Sequence, residues 1–120
     1  MKVAVIGRSE ILYRTAELLL GQGYEVPLIV TSKEAPEYSK NVEDFKKLAE
    51  KTGAIFVRAI DSDKILSVLK GMSPIDVAVS VNHNGILSQA VIDCFPCGIL
   101  NAHGGDLPRY RGNACQAWRY

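Results

Sequence analysis

Two polar side chains in the stretch CGILNAHGGDLPRYRG, Cys97 to Gly112, carry the chemistry this chain is best equipped for. Asn101 offers an amide donor, and His103 an imidazole that can give or take a proton near neutral pH. They are two apart and follow the apolar pair Ile99-Leu100, so on a strand they share a face at its C-terminal end. In open α/β sheets that edge is where ligands bind. A donor beside a proton carrier suits a reaction in which a carbonyl oxygen becomes an oxyanion. A histidine at a strand end can also do no more than bond backbone groups. Two polar residues followed by Gly104-Gly105 and Leu107-Pro108-Arg109-Tyr110-Arg111-Gly112 form a rarer combination. Arg109 and Arg111 could grip an anion with paired N–H donors, or stand as solvated loop charges.

Three other groups of residues could do chemistry, and each has a plainer explanation. Gly7-Arg8-Ser9 follows an apolar run and opens a helix. It reads either as a tight turn with Ser9 as the N-cap, or as a cradle for a phosphate or carboxylate at the helix N-terminus. A dinucleotide fingerprint needs three glycines at fixed spacing and only Gly7 is present, which speaks against NAD. Asn82-His83-Asn84-Gly85 reads as an Asn-Gly turn with His83 solvated. Cys94-Phe95-Pro96-Cys97 has redox spacing but falls between a helix end and a strand start, so both cysteines are read as structural. With three cysteines and no second C-x-x-C or histidine pair, neither a disulfide framework nor a zinc site is expected.

The elements that must position these groups alternate along the chain. Val3–Ile6 is a continuous apolar run that reads as a strand buried on both faces. Leu12, Ala16, Leu19 and Leu20 recur at helical spacing, and Gly21 and Gly23 end that helix. Val26–Thr31 is a second strand, in which Pro27 belongs at the start or at an edge-facing position. After a polar loop, Asn41 caps a helix that buries Val42, Phe45, Leu48 and Ala49 and stops before Gly53. Ala54–Ala59 is a third strand. Asp61 or Ser62 starts a helix through Ile65, Leu66 and Leu69, closed by Gly71. Ile75–Val81, Ile86–Asp93 and Ile99–Asn101 read as a fourth strand, a short helix and a fifth strand, and Asn113–Tyr120 opens another helix.

This alternation predicts an α/β domain of Rossmann-like type, a mostly parallel sheet with helices on both faces. The 120 residues bound a single domain, 1–120, that breaks off in mid-pattern and reads as truncated at its C-terminal end. With 48% apolar residues a sizeable core can form, and the net charge of +1 argues against nucleic-acid binding driven by bulk charge. The chain shows neither a secretory h-region nor a run long enough to span a bilayer, which makes the cytoplasm the expected compartment and a membrane partner unexpected.

Asn101-Ala102-His103 followed by Leu107-Pro108-Arg109-Tyr110-Arg111-Gly112 resembles the formyltransferase family that uses 10-formyltetrahydrofolate. The order of elements upstream agrees with it. The resemblance implies transfer of a formyl group from 10-formyltetrahydrofolate to a primary amine, without a metal. Asn101 and His103 would stabilise the oxyanion, and His103 would also move a proton. It further implies a pterin pocket built from the turn that holds Asn82, Gly85, Ile86 and Leu87, where members often carry an aromatic residue in place of His83. Gly7, Arg8 and Ser9, with Arg109 and Arg111, become candidates for the acceptor side. The family's third catalytic residue is an Asp from a later segment, so its role is not moved onto Asp106.

The acceptor is left open between a nucleotide-linked amino sugar, methionyl-tRNA and glycinamide ribonucleotide, with the near-neutral charge tilting toward a small amine. A non-catalytic folate- or partner-binding fragment is the alternative. A receiver-like signalling module ranks lower, because Gly7-Arg8-Ser9 and Ala59-Ile60-Asp61 supply no acidic cluster. The 120 residues alone are expected to be inactive and to self-associate through the open side of the fifth strand.

Overall fold

The computed structural model describes residues 1–33 and 38–102. Nine elements follow in order: β1 (Lys2–Gly7), α1 (Ser9–Gly21), β2 (Glu25–Thr31), α2 (Val42–Thr52), β3 (Ile55–Arg58), α3 (Ser62–Lys70), β4 (Val77–Val81), α4 (Gln89–Ile92) and β5 (Ile99–Ala102). The strands form one sheet in the order β3-β2-β1-β4-β5, and every neighbouring pair is parallel. This is the Rossmann-like α/β fold expected from the sequence.

Each strand side chain alternates between the two faces, so the apolar runs feed two cores. Ala4, Ile6, Leu28, Val30 and Ala78 pack with Ile65 and Leu69 of α3 and Val91 of α4. Val5, Val26, Ile29 and Val81 pack on the other face with Leu12 and Ala16 of α1 and Phe45, Leu48 and Ala49 of α2. Tyr13 and Phe45 meet edge to face, with ring centroids 5.6 Å apart, where α1 lies beside α2. Burying each large aliphatic side chain contributes about 1.5–3 kcal/mol, so these two layers hold the sheet between its helices.

The helix caps follow local chemistry in α2 and α3. Asn41 Oδ1 accepts from Asp44 N at 3.0 Å while Asp44 Oδ2 accepts from Asn41 N at 2.9 Å, a complete capping box. Gly53 ends α2 at φ +78°, where a side chain would be strained. Asp61, one of the two residues expected to start α3, is its N-cap and accepts from Asp63 N.

Three expectations shift. Pro27 lies in β2, which is an inner strand; it falls where the β1–β2 register jumps between Lys2 and Ala4, and the pairing with β3 starts only at Leu28. The bulge thus accommodates the missing N–H that a regular ladder would need. The last helix of the described residues is shorter than Ile86–Asp93, because residues 86–88 are held by α3 and Ser88 becomes the N-cap of Gln89–Ile92. Ser9 does not cap α1 with its side chain: Arg8 occupies the cap position without a side-chain cap bond, and Ser9 is the first helical residue at φ +87°. His103, Asp106, Arg109, Arg111, Cys115 and the helix expected over 113–120 lie outside the described residues.

Candidate functional site

The sheet reverses its winding at β1. Strands β2 and β3 are added on one side, β4 and β5 on the other. At such a switch point the two loops leaving the C-terminal ends of β1 and β4 diverge to opposite faces and open a crevice between them. Those loops are the two stretches Gly7-Arg8-Ser9 and Asn82–Ser88.

The two loops are bonded to each other at their roots. Arg8 N donates to Val81 O at 2.9 Å. The Arg8 Nε donates to Asn82 O at 2.9 Å, and Asn82 Nδ2 donates to Ser9 Oγ at 3.2 Å. Gly7 has φ +135°, and a Cβ built there would fall 1.9 Å from Val81 O, so only glycine lets β1 run this close to β4. Ser9 at φ +87° and Asn82 at φ +53° are the two non-glycine residues with positive φ among the described residues, and they share one hydrogen bond. Asn tolerates that region; Ser does so at a cost of order 1–2 kcal/mol. Paired outliers at a switch point, held by their surroundings, point to a working site.

Arg8 also reaches the loop after β2. Its Nη1 donates to Lys33 O at 3.3 Å and its guanidinium lies 5.3 Å from the centre of the Tyr38 ring. Further along, Ser39 Oγ donates to Glu10 Oε2 at 3.0 Å and Lys40 Nζ stands 4.4 Å above Tyr13. The hydrogen bond from Arg14, with the one from Ser39, keeps the exposed Glu10 carboxyl below its ordinary range. Thr31 Oγ1 donates to Gly7 O at 2.7 Å, and Ser32 Oγ to Asn84 Oδ1 at 2.8 Å. Thr31, Ser32 and Asn84 escaped the sequence reading. The available signal was a Thr-Ser pair closing an otherwise apolar strand at the ligand-facing edge.

Residues 82–88 continue toward the start of α3. Ser62 Oγ donates to Ile86 O and accepts from Ser88 N, pinning the loop at both atoms. Gly85 lies so close to Ile60 that a Cβ would fall 2.6 Å from Ile60 O and 3.0 Å from His83 Nε2. Ile86 is 86% exposed, a large apolar side chain standing free in solvent, while Leu87 is half-buried against the α3–α4 core. His83 is not a solvated loop residue. Both of its ring nitrogens are inaccessible and meet no hydrogen-bond partner among the described residues. Burial, then the charge of Arg8, push the imidazole below its ordinary pKa; the Ile60 backbone lies near enough to oppose this without making a well-formed bond.

Asn101 lies opposite Ser80 in the β4–β5 ladder, and Ala102 opposite Val81, so Asn101 reaches the edge beside the root of the β4 loop. It alternates with the exposed Leu100 and shares the face of Ile99, the side over which residues 82–88 run. The geometry thus joins Gly7, Arg8 and Ser9 to Asn82 directly, and places Asn101 on the adjoining strand. Gly85 serves close backbone packing, and Ile86 supplies free apolar surface. Among the described residues there is no cluster of three His, Cys, Asp or Glu, and no helix long and apolar enough to cross a membrane. Cys94 and Cys97 are both free thiols, Cys94 half-buried with its Sγ against Ala90 O and Cys97 exposed.

Comparison with known proteins gives four findings. The family profile described as formyl transferase matches residues 1–120. The chain is 28% identical over 123 residues to the methionyl-tRNA formyltransferase of Acetivibrio thermocellus, covering 98% of this chain and 39% of that protein. It is 33% identical over 123 residues to the methionyl-tRNA formyltransferase of Aromatoleum aromaticum, covering 95% of this chain and 37% of that protein. The chain therefore spans about two fifths of the length of the curated relatives it matches. Its fold matches the crystal structure of glycinamide ribonucleotide transformylase 1 from Geobacillus kaustophilus, with a TM-score of 0.60 at 20% identity over 98% of this chain and 66% of that one.

Proposed function

The chain belongs to the formyl transferase family, and from that membership we propose that it binds 10-formyltetrahydrofolate and serves transfer of its formyl group to a primary amine. The observation that carries this reading is Asn101, set at the C-terminal edge beside a β4 loop with free apolar surface and a strained, mutually bonded root. Asn82, Gly85, Ile86 and Leu87 would hold the pterin end. The exposed Ile86 offers an apolar face, and the turn offers backbone donors and acceptors of the kind an amide-edged heterocycle needs. The folate supplies an activated one-carbon carbonyl. Asn101 donates an amide hydrogen to that oxygen as charge builds on it, and His103 carries the proton. Gly7, Arg8 and Ser9, with Arg109 and Arg111, are assigned to the acceptor.

The acceptor class is open between the methionyl-tRNA named for the two relatives and a small phosphorylated or nucleotide-linked amine. The net charge of +1 favours the small amine. A cytoplasmic location and self-association through the open edge of β5, where Leu100 is 55% exposed, belong to the same proposal.

The test is a pair of measurements on the protein and its Asn101→Ala variant. Binding of a non-transferring 10-formyltetrahydrofolate analogue, followed by amide NMR shifts, is expected to perturb residues 82–87 and 99–102 in both. In a full-length version of the enzyme, formyl transfer to candidate amines is expected to fall about 100- to 1000-fold in the variant. Shifts clustered at the Cys94 turn would overturn the placement. Binding without transfer to any amine by a full-length version would favour the alternative, a folate-binding domain that does not catalyse.

A further inference from the structure

His83 is a half-buried titratable group, its two ring nitrogens inaccessible, that the proposed chemistry does not use. Its ring lies against Gly85, where a Cβ would fall 3.0 Å from Nε2 and 2.6 Å from Ile60 O, so the three residues meet closely. Neither ring nitrogen has a hydrogen-bond partner among the described residues. A buried unpartnered polar group in a native structure calls for an explanation. Its neighbour in sequence, Asn82, is held at φ +53° and accepts from Arg8 Nε at 2.9 Å, which brings a permanent positive charge to the next residue.

We propose that His83 is a positioning residue that keeps residues 82–88 packed on the start of α3 only as the neutral imidazole, so that acid releases this loop from the switch point. Protonation would place a second cation beside Arg8, on ring nitrogens that solvent does not reach and with no carboxylate bonded to it. Among the described residues, the charged groups nearest in the surrounding elements include Arg8 and Glu10, Lys33, Arg58, Asp61, Asp63 and Lys64, whose Nζ donates to Arg58 O. The Glu10 carboxylate is engaged by Arg14 and Ser39, and that of Asp61 caps Asp63 N. Arg8 is the charge that acts on the ring, and it acts against protonation.

The sign follows from linkage. The folded state holds His83 below the ordinary histidine value of 6.5. The packed loop is therefore fully stable above that value, and its stability falls as pH drops through 6.5 toward the depressed folded pKa.

The chain has two histidines, so ring NMR can follow each. In the ligand-free protein, the His83 ring is expected to titrate below 6.5, with the amides of 82–88 shifting at the same midpoint and those of α2 unmoved. His83→Phe keeps the apolar packing and removes the proton, and is expected to abolish that loop transition. A His83 ring that titrates as an exposed imidazole, or loop amides that do not move with it, would overturn the proposal, even if the variant fails to fold. A second readout rests on the formyl-transfer reading: affinity for the folate analogue is expected to fall about tenfold between pH 7.5 and 5.5 in the wild type alone. A loop transition in the ligand-free protein without any folate binding would sink that functional reading and leave the latch standing.

Discussion

The starts of α1 and α2 face the same sheet surface and are built by opposite rules. The start of α2 satisfies every local preference: Asn41 and Asp44 bond each other's backbone reciprocally, and Gly53 closes the other end at φ +78°. The start of α1 violates them. Its cap residue makes no side-chain cap bond, its first helical residue has φ +87°, and its entry requires a glycine at φ +135°. What holds α1 in place comes from 73 and 74 residues away, through Asn82 and Arg8. Local rules hold where only the fold is at stake. They yield where two loops must meet over a crevice, which is the pattern expected at a functional site.

Substitutions can break this contrast, and the largest effect belongs to Gly7→Ala. A methyl group 1.9 Å from Val81 O forces β1 and β4 apart, and the residue must also keep φ +135°. The expected loss is about 3 kcal/mol or more, read as a lowered urea midpoint. A midpoint within error of the wild type would show that the close approach is not structural. Next comes Asn82→Ala, which removes the bond to Ser9 and puts a less tolerant residue at φ +53°. It is expected to cost about 2 kcal/mol and to weaken folate-analogue binding. Asn82→Gly keeps the backbone and should recover part of the stability but not the binding. If glycine restores both, the side chain has no part in the site. The smallest effect belongs to Asn41→Ala, which opens the capping box for about 1 kcal/mol. There the melting temperature should fall while binding stays unchanged, and a change in binding would erase the contrast between the two helix starts.

Whatever depended on neighbouring residues was legible in the sequence. The apolar runs marked the strands, Asn41 and Asp61 marked helix starts, and Gly53 marked an end, because each signal sits within a few residues of its effect. Ser9 was misread as a cap because its hydroxyl is taken by Asn82, 73 residues on. His83 was misread as solvated because its burial is made by Ile60 and Gly85. Pro27 was expected at the strand's start or at an edge-facing position and lies inside an inner strand, since the bulge that accommodates it is a property of the β1–β2 pairing. Asn101 was singled out by the company it keeps in the sequence, and its place opposite Ser80 is visible only in the ladder.

The strand order has a consequence for how the molecule is made. Of the five described strands the first to leave the ribosome is the central one, and the bonds that tie it to β4 and the β4 loop join residues 74 apart. At ordinary synthesis rates the interval between those two strands is roughly 4–15 s. During it, β1 can pair with β2 on one side, while its other edge presents unpaired N–H and C=O groups on an apolar strand. Nascent chains stalled before Val77 are therefore the species most prone to pair with one another, and the crevice exists only after the fourth strand has closed that edge.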